Sequence, residues 1–424
     1  PLFLLPPRIY TSPDPTTPII SILSTLASHI AVPFLVLSTT AVVAQIWFSH
    51  SLLGKGRNPY PLYAASNAGS LIALLGYTFI AEPLMGVRLQ GLMWSLLYIV
   101  YILLVVASWL LLRPQVSFVP NNESSPTTSS IDVITYGKWI ILSCLPSAYL
   151  LAVTNFISLE IGSFPLIWVL PLALYLGSFI VTFRETGGVP RSIKHLWPEF
   201  LLWGGLLFLV GPVHWLVIFG HLTVFFLICL VSHDTLYELR PNPAKLTNFY
   251  LSSALGGWIG GAIVSVAVPY IFDGLYEYPL ILSLFGILFF MCRPESLKTF
   301  MPGAPIKYFC VRWTVSLVLI ALVLVGTKSA FDNHLQFQHR NFFGTYRIKD
   351  FYSQNHEYPA MRKFIHGNTI HGAQFLETAS ELVPLLYYYE GGAIAQAFKT
   401  KSDHLHIGNI GLGAGVAAVY ANRN

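Results

Sequence analysis

Apolar and polar positions segregate along this chain into long apolar runs divided by short polar breaks. A bilayer core takes about 20 consecutive apolar residues per helix, and on that ruler the pattern predicts about ten spans. They cover Ile20–Ser49, Pro59–Ile80, Arg88–Leu112, Lys138–Leu159, Phe164–Phe183, Leu196–Val210, Val213–Leu236, Leu246–Val268, Tyr278–Cys292 and Tyr308–Thr327. The Leu196–Val210 and Tyr278–Cys292 runs are short for a crossing. The Ser-, Thr-, Asn- and Pro-rich stretch Pro120–Ser130 predicts a flexible loop, over about 113–137, that divides the membrane part into two blocks. Gly256-Gly257 and Gly260-Gly261 would let helix backbones approach closely. Trp47, Tyr60, Trp197, Tyr270 and Tyr308 fall near span ends, where aromatic rings favour the membrane–water interface.

After Thr327 the pattern changes from runs to alternation. Phe342–Phe351 is strand-like, with aromatic and β-branched residues. Met361–His366 and Thr369–Leu376 predict a hairpin closed at Gly367-Asn368, a pair that tolerates positive φ. Gly391–Thr400 predicts a short helix. His404–Ile410 predicts a strand running straight into Gly411-Leu412-Gly413-Ala414-Gly415, with Val416–Ala421 opening a helix. The expected organisation is a helical membrane domain over 1–330 followed by the first part of a soluble α/β domain over 331–424.

Composition agrees with this division. Of the 424 residues, 54% are hydrophobic and 10% charged, and the mean hydropathy is +0.61. Soluble domains carry about 25% charged residues, so neither a soluble enzyme throughout nor a disordered chain fits. From Asp332 to Asn424 there are 8 Lys/Arg and 7 Asp/Glu, 15 charges in 93 residues, against 28 in the first 331. The net charge of +5 is spread over loops without a basic run, which excludes a nucleic-acid partner. Cys144, Cys229, Cys292 and Cys310 lie in or beside apolar runs without CxxC spacing, so they read as small buried thiols rather than disulfides or metal ligands. The chain opens on Pro1 and closes at Asn424 inside the last expected helix, so it reads as a piece of a longer protein.

Loop charge predicts orientation. Loops with Lys55/Arg57, Arg184/Arg191/Lys194 and Arg293/Lys298/Lys307 are basic, and those with Glu82, Glu160 and Asp273/Glu277 are acidic or neutral. They alternate as ten spans require, with the basic loops cytoplasmic. The tail after Thr327 then emerges on the outer side, unless the count is off by one around Gly211-Pro212. Both alternatives stand at this level.

A strand, a G-x-G-x-G turn and a helix together let a backbone approach a nucleotide-like ligand without Cβ collision. The same turn also occurs for packing alone. At this point the chain resembles the spermidine synthase (polyamine aminopropyltransferase) family. The tail carries the leading hairpin with Gly372-Ala373-Gln374, the run Tyr387-Tyr388-Tyr389, and Ile410-Gly411-Leu412-Gly413-Ala414-Gly415. The membrane part is similar to the transporter-like helical region fused to such domains in bacterial multi-pass proteins. The similar stretches are Tyr63–Ser70 (YAASNAGS), Trp168–Tyr175 (WVLPLALY), Leu246–Leu251 (LTNFYL), Arg340–Gly344 (RNFFG) and His366–Gln374 (HGNTIHGAQ).

The resemblance implies a polytopic helical bundle followed by the start of a Rossmann-like methyltransferase/spermidine-synthase fold, in a bacterial inner membrane. It implies S-adenosylmethionine or its decarboxylated form as co-substrate, held by Gly411, Gly413, Gly415 and Gln374, and a polyamine or small amine near Tyr387 or Tyr388. The family's catalytic Asp would lie beyond Asn424. Where the family has Leu-Asp-Gly before the Gln, this chain has Ile370-His371-Gly372. The implied reaction is transfer of an aminopropyl or related group from a sulfonium carbon to an amine. The sulfonium is already an activated leaving group, so the protein need only align the partners and accept a proton. The alternative is a transporter or membrane scaffold with a degenerate ligand-sensing domain, its helices broken at Pro33, Pro146, Pro165, Pro171 and Gly211-Pro212.

Other ionisable residues have simpler readings. His214 and His221 share a helix face, where a bond to a neighbouring helix is commoner than a metal or proton path. Glu82 and Glu160 read as interfacial rather than deep. Two ligands are too few for a zinc site, so His404 and His406 carry no metal. His366 and His371 flank a hairpin turn, at a solvated or ligand edge.

Overall fold

The computed structural model describes residues 17–54, 57–112, 132–161, 167–185, 188–210, 215–293, 334–341, 344–353, 359–367, 369–399, 408, 411 and 413–422. It is mostly helical, with a small antiparallel sheet near the C-terminus. Among the described residues six helices are long and apolar enough to cross a membrane, spanning Ala31–His50, Pro61–Leu84, Val87–Leu110, Val133–Glu160, Leu216–Glu238 and Leu246–Ile271. Three shorter apolar helices are Val169–Phe183, Trp197–Leu209 and Glu277–Cys292. The expected run Tyr308–Thr327 and the strand His404–Ile410, apart from Gly408, lie outside the described residues.

Proline chemistry sets several helix boundaries. The first expected span is two helices, α1 (Pro18–His29) and α2 (Ala31–His50), broken at Ile30. Pro33 has no N–H and its ring would strike the carbonyl four residues back, which is that of His29. The chain therefore restarts, with Pro33 in the first turn of α2, where the missing donor costs little. Helix α3 (Pro61–Gly76) widens into a π-turn over Tyr77–Ala81 before α4 (Glu82–Leu84). Helix α5 is Val87–Leu112 and α6 is Val133–Phe156, the latter starting five residues before the expected span and ending in a π-turn, Ile157–Ile161. Then come α7 (Val169–Phe183), α8 (Arg191–His195), α9 (Trp197–Val210) and α10 (Trp215–Glu238). Helix α11 (Leu246–Ala262) passes through a third π-turn, Ile263–Ala267, into α12 (Val268–Ile271), and α13 is Glu277–Cys292. Pro83 and Pro269 each follow a π-turn that contains the residue four positions before them, Phe79 and Ser265. The wider turn makes room for the proline ring.

The chain forms two compact units. The first comprises Pro1–Pro146, Val169–Lys194 and Phe226–Trp258, and α3 packs along α7 in it. Tyr63, Phe179, Phe183 and Tyr250 form its aromatic core, with ring centroids 4.8–5.4 Å apart around Tyr63. Two buried polar pairs lie there: the Tyr250 hydroxyl donates to Gln45 Oε1 at 2.7 Å, and Ser178 Oγ lies 2.8 Å from His233 Nδ1. Gly256 meets the α6 backbone, where an added Cβ would stand 2.2 Å from the Ile140 carbonyl oxygen.

The second unit comprises Ser147–Trp168, His195–Phe225 and Ile259–Asn424. Helices α9 and α13 pack antiparallel in it. Trp197 meets Phe289 at 5.5 Å between centroids, Leu201 faces Gly286, Leu282 faces Gly204, and Phe208 stacks on Tyr278. The sheet is a meander of β1 (Leu335–Asn341), β2 (Gly344–Phe351), β3 (Met361–His366) and β4 (Thr369–Phe375), in the order β1-β2-β3-β4. The β3–β4 hairpin forms where the sequence predicts it, with Gly367 at φ +59°. Strand β1 has no counterpart in the sequence reading. A short helix, α14 (Ala393–Lys399), and a 3₁₀ segment, Val416–Asn422, complete this unit.

Candidate functional site

Because side chains alternate across a strand, the sheet has two chemically different faces. On one, cross-strand register builds two rows. Asp350, Arg362 and Gln374 stand side by side on β2, β3 and β4, and Ile348, Phe364 and Gly372 form the next row. Arg362 forks onto Asp350, with Nε–Oδ1 at 2.7 Å and Nη2–Oδ2 at 2.9 Å. This charge-assisted pair holds the Asp350 carboxyl below its usual range.

The glycine turn lies over these rows. Gly411, Gly413 and Gly415 all have left-handed backbones, with φ of +90°, +57° and +72°. Only glycine takes such values in succession at low cost. The approach is close at Gly372, where an added Cβ would stand 2.3 Å from the Ala414 Cβ. Between the sheet face and the turn is a cleft of about 440 Å³. Ile348, Arg362, Phe364, Gly372, Ala373 and Gln374 line it from the sheet, and Gly413, Ala414, Gly415, Val416 and Val419 from the turn and the segment after it. Glu381, Leu382 and Val383 close a third side.

Three of the four residues expected to hold a co-substrate, Gln374, Gly413 and Gly415, thus share one cleft. Gly411 does not line it, and an added Cβ there would meet nothing within 4 Å. Tyr387 and Tyr388 are not in its lining either. The Tyr387 hydroxyl donates to the His371 carbonyl at 2.9 Å, and the Tyr388 hydroxyl stands 3.8 Å from where a Gly413 Cβ would be. The two tyrosines thus lie beside β4 and the glycine turn. Sequence reasoning missed Arg362 and Glu381, the charged groups of the cleft. The alternation of β3, which puts Arg362 two residues before Phe364, was the available signal. His366 and His371 stack at 5.7 Å with Tyr346 beside His366.

The opposite face carries Arg340 on β1 and Arg347 on β2, and both reach buried carboxylates at helix ends. Arg340 Nη1 and Nη2 each lie 2.8 Å from one Glu277 oxygen, and Nη1 also donates to the Gly274 carbonyl at 2.6 Å. Glu277 opens α13, where its charge also suits the helix dipole. Arg347 pairs with Glu160 in the π-turn that ends α6, one bond being 2.9 Å, and Arg347 Nε donates to Gln338 Oε1 at 3.1 Å. Lys349 shares this face, and burial together with the Arg347 guanidinium pushes its ammonium down from its usual range. Glu160 is buried and committed to the sheet. Glu82 is exposed and accepts from the Tyr77 hydroxyl at 2.7 Å.

Within the second unit's helices, His221 Nδ1 lies 2.7 Å from the Tyr278 hydroxyl, which the Tyr149 hydroxyl approaches at 3.1 Å. His221 Nε2 is buried without a hydrogen-bond partner. The sequence anticipated a bond from this histidine to a neighbouring helix, and α13 provides it. His214, His404 and His406 lie outside the described residues. Compared with known proteins, the chain matches no family model, no curated protein and no solved structure.

Proposed function

We propose that this chain is a multi-pass protein of a bacterial inner membrane, with ten crossings, whose C-terminal sheet opens a spermidine synthase-like domain. Its cleft holds S-adenosylmethionine or the decarboxylated form. The reading is carried by one observation: Gln374, Gly413 and Gly415, far apart in sequence, line a single cleft under a left-handed glycine turn. Glu381 supplies a carboxylate for an amine or sulfonium, Gln374 an amide, and Ile348, Phe364 and Val416 an apolar bed. With a complete Rossmann-like domain the chemistry would be transfer of an aminopropyl or related group to a small amine. The test is calorimetry of the detergent-solubilised protein with S-adenosylmethionine and its decarboxylated form. Saturable binding that Gln374→Ala and Glu381→Ala each weaken at least tenfold is expected. Absence of binding to either ligand would overturn the reading.

A second reading, transport, has its own support in the buried His221–Tyr278–Tyr149 chain and in the π-turns of the apolar helices. Polyamine flux into proteoliposomes that Tyr278→Phe abolishes and Gly413→Ala spares would favour it over the first.

A further inference from the structure

The two ends of the second unit differ in their charged groups. At one end α13 begins at Glu277 and the π-turn after α6 carries Glu160, and here the two buried arginines hold the sheet. At the other end α13 runs out into Arg293, next to which Trp197 opens α9 against Phe289. The sequence leads into α9 through Arg184, Arg191 and Lys194, and follows Arg293 with Lys298 and Lys307. Arg293 is therefore at the end of α13 away from the sheet, and along the sequence Arg184, Arg191 and Lys194 lead to the start of α9, which packs beside Phe289.

The packing also bears on the direction of the helices on either side of Gly211-Pro212. Helix α9 starts level with Phe289 and finishes level with Tyr278, and His221 near the start of α10 meets the same Tyr278. Helix α9 thus runs the length of α13 in the opposite direction, and α10 starts again from the sheet end. Read as a crossing, Leu196–Val210 keeps the alternation of loops that ten spans require.

Excess Lys and Arg in short loops marks the cytoplasmic side. We infer that the sheet and its cleft lie on the non-cytoplasmic side of the membrane, so that the cleft takes its ligand from that compartment. The first half of this inference is independent of the proposed ligand, and the second rests on the cleft being a binding site. The topology requires one more crossing between Arg293 and β1, for which Tyr308–Thr327 is the sequence's candidate. It also has a chemical consequence. A sulfonium donor carries a fixed positive charge that hydrocarbon excludes. A donor of that class would reach the cleft from outside or through the helices, never by diffusion across the lipid.

The experiment labels the full chain with a membrane-impermeant maleimide in right-side-out and inside-out membrane vesicles. The four native cysteines are replaced by alanine, and single cysteines are placed at exposed Glu377 after β4 and exposed Arg191 at the basic end. Glu377→Cys should label at least tenfold faster in right-side-out vesicles and Arg191→Cys in inside-out ones. The reverse pattern, or both sites labelling from the same side, would overturn the topology. Alkaline phosphatase fused after Asn424 checks it without touching a cysteine: high activity is expected, and an inactive enzyme beside a fluorescent cytoplasmic reporter at the same position would overturn it. Radiolabelled S-adenosylmethionine added to the two vesicle types then tests the compartment. Binding to right-side-out vesicles alone is expected, and binding only to inside-out ones contradicts the inference. Failure to bind in detergent would remove the proposed ligand and leave the labelling result intact.

Discussion

Arg340 on β1 forks onto Glu277 at the head of α13, with both nitrogen–oxygen distances at 2.8 Å and both side chains buried. A strand of the sheet is thereby tied to an apolar helix by charges that neither partner can leave alone.

Breaking that pair should release the sheet. Removing one member of a buried ion pair costs about 3–5 kcal/mol, because the other charge loses both water and partner. Arg340→Ala should make the region after Leu335 protease-sensitive in detergent while α13 stays inserted. The exchange of Arg340→Glu with Glu277→Arg should recover part of the resistance. A resistant Arg340→Ala protein would show that the pair does not hold the sheet.

Gly367 should resist replacement for two reasons. Its φ of +59° is left-handed, and an added Cβ would lie 2.4 Å from the Leu159 carbonyl oxygen in the π-turn after α6. Backbone strain of this kind costs about 1–3 kcal/mol. Gly367→Ala should therefore lower the midpoint of sheet unfolding and speed hydrogen exchange in β3 and β4. Unchanged exchange there would mean that the hairpin is not seated on Leu159.

Gly413 bears on why the glycine turn is glycine. The sequence suggests that a Cβ here would fill ligand space, yet the nearest atom to an added Cβ is the Tyr388 hydroxyl at 3.8 Å, an ordinary contact. Within the chain itself the cost arises from φ +57°, at about 1–2 kcal/mol for a left-handed non-glycine residue. Gly413→Ala should thus loosen the turn and weaken binding only through that loosening. Calorimetry and protease resistance should fall together. Lost binding with an unaltered turn would point back to ligand volume.

Acid should attack the cleft face first. Asp350 is depressed by its hydrogen bonds from Arg362, so its contribution is complete above the ordinary Asp pKa of about 3.9 and is lost as pH falls through the lower folded value. Stability of the sheet should be level for this pair between pH 5 and 7 and fall below about pH 4. Asp350→Asn should flatten that acid limb. Equal acid sensitivity in the two proteins would show that the pair contributes nothing.

Tyr278→Phe deletes the hydroxyl between His221 and Tyr149 without changing the stacked ring. It leaves the buried His221 Nδ1 without its partner, which costs about 1–3 kcal/mol. Thermal unfolding in detergent should move down accordingly. An unchanged midpoint would indicate that the network is not structural.

The sequence by itself determined the membrane character of the chain, the ends of most apolar helices, and the Met361–Phe375 hairpin with its Gly367 turn. These are local properties, set by run length, strand alternation and the φ that glycine permits. The break that the transport reading puts at Pro33 falls at Ile30, one turn earlier, because the proline ring would strike the His29 carbonyl. Gln374 and the glycine turn were found from short motifs, but Arg362 and Glu381 were not, because a charged residue on a strand looks the same whether it faces water or a cleft. Only tertiary structure decided which charges are paired. Arg340 with Glu277 and Arg347 with Glu160 join residues 63 and 187 positions apart. No local pattern encodes such a partner, since the free energy of a buried charge depends on what stands opposite it in space.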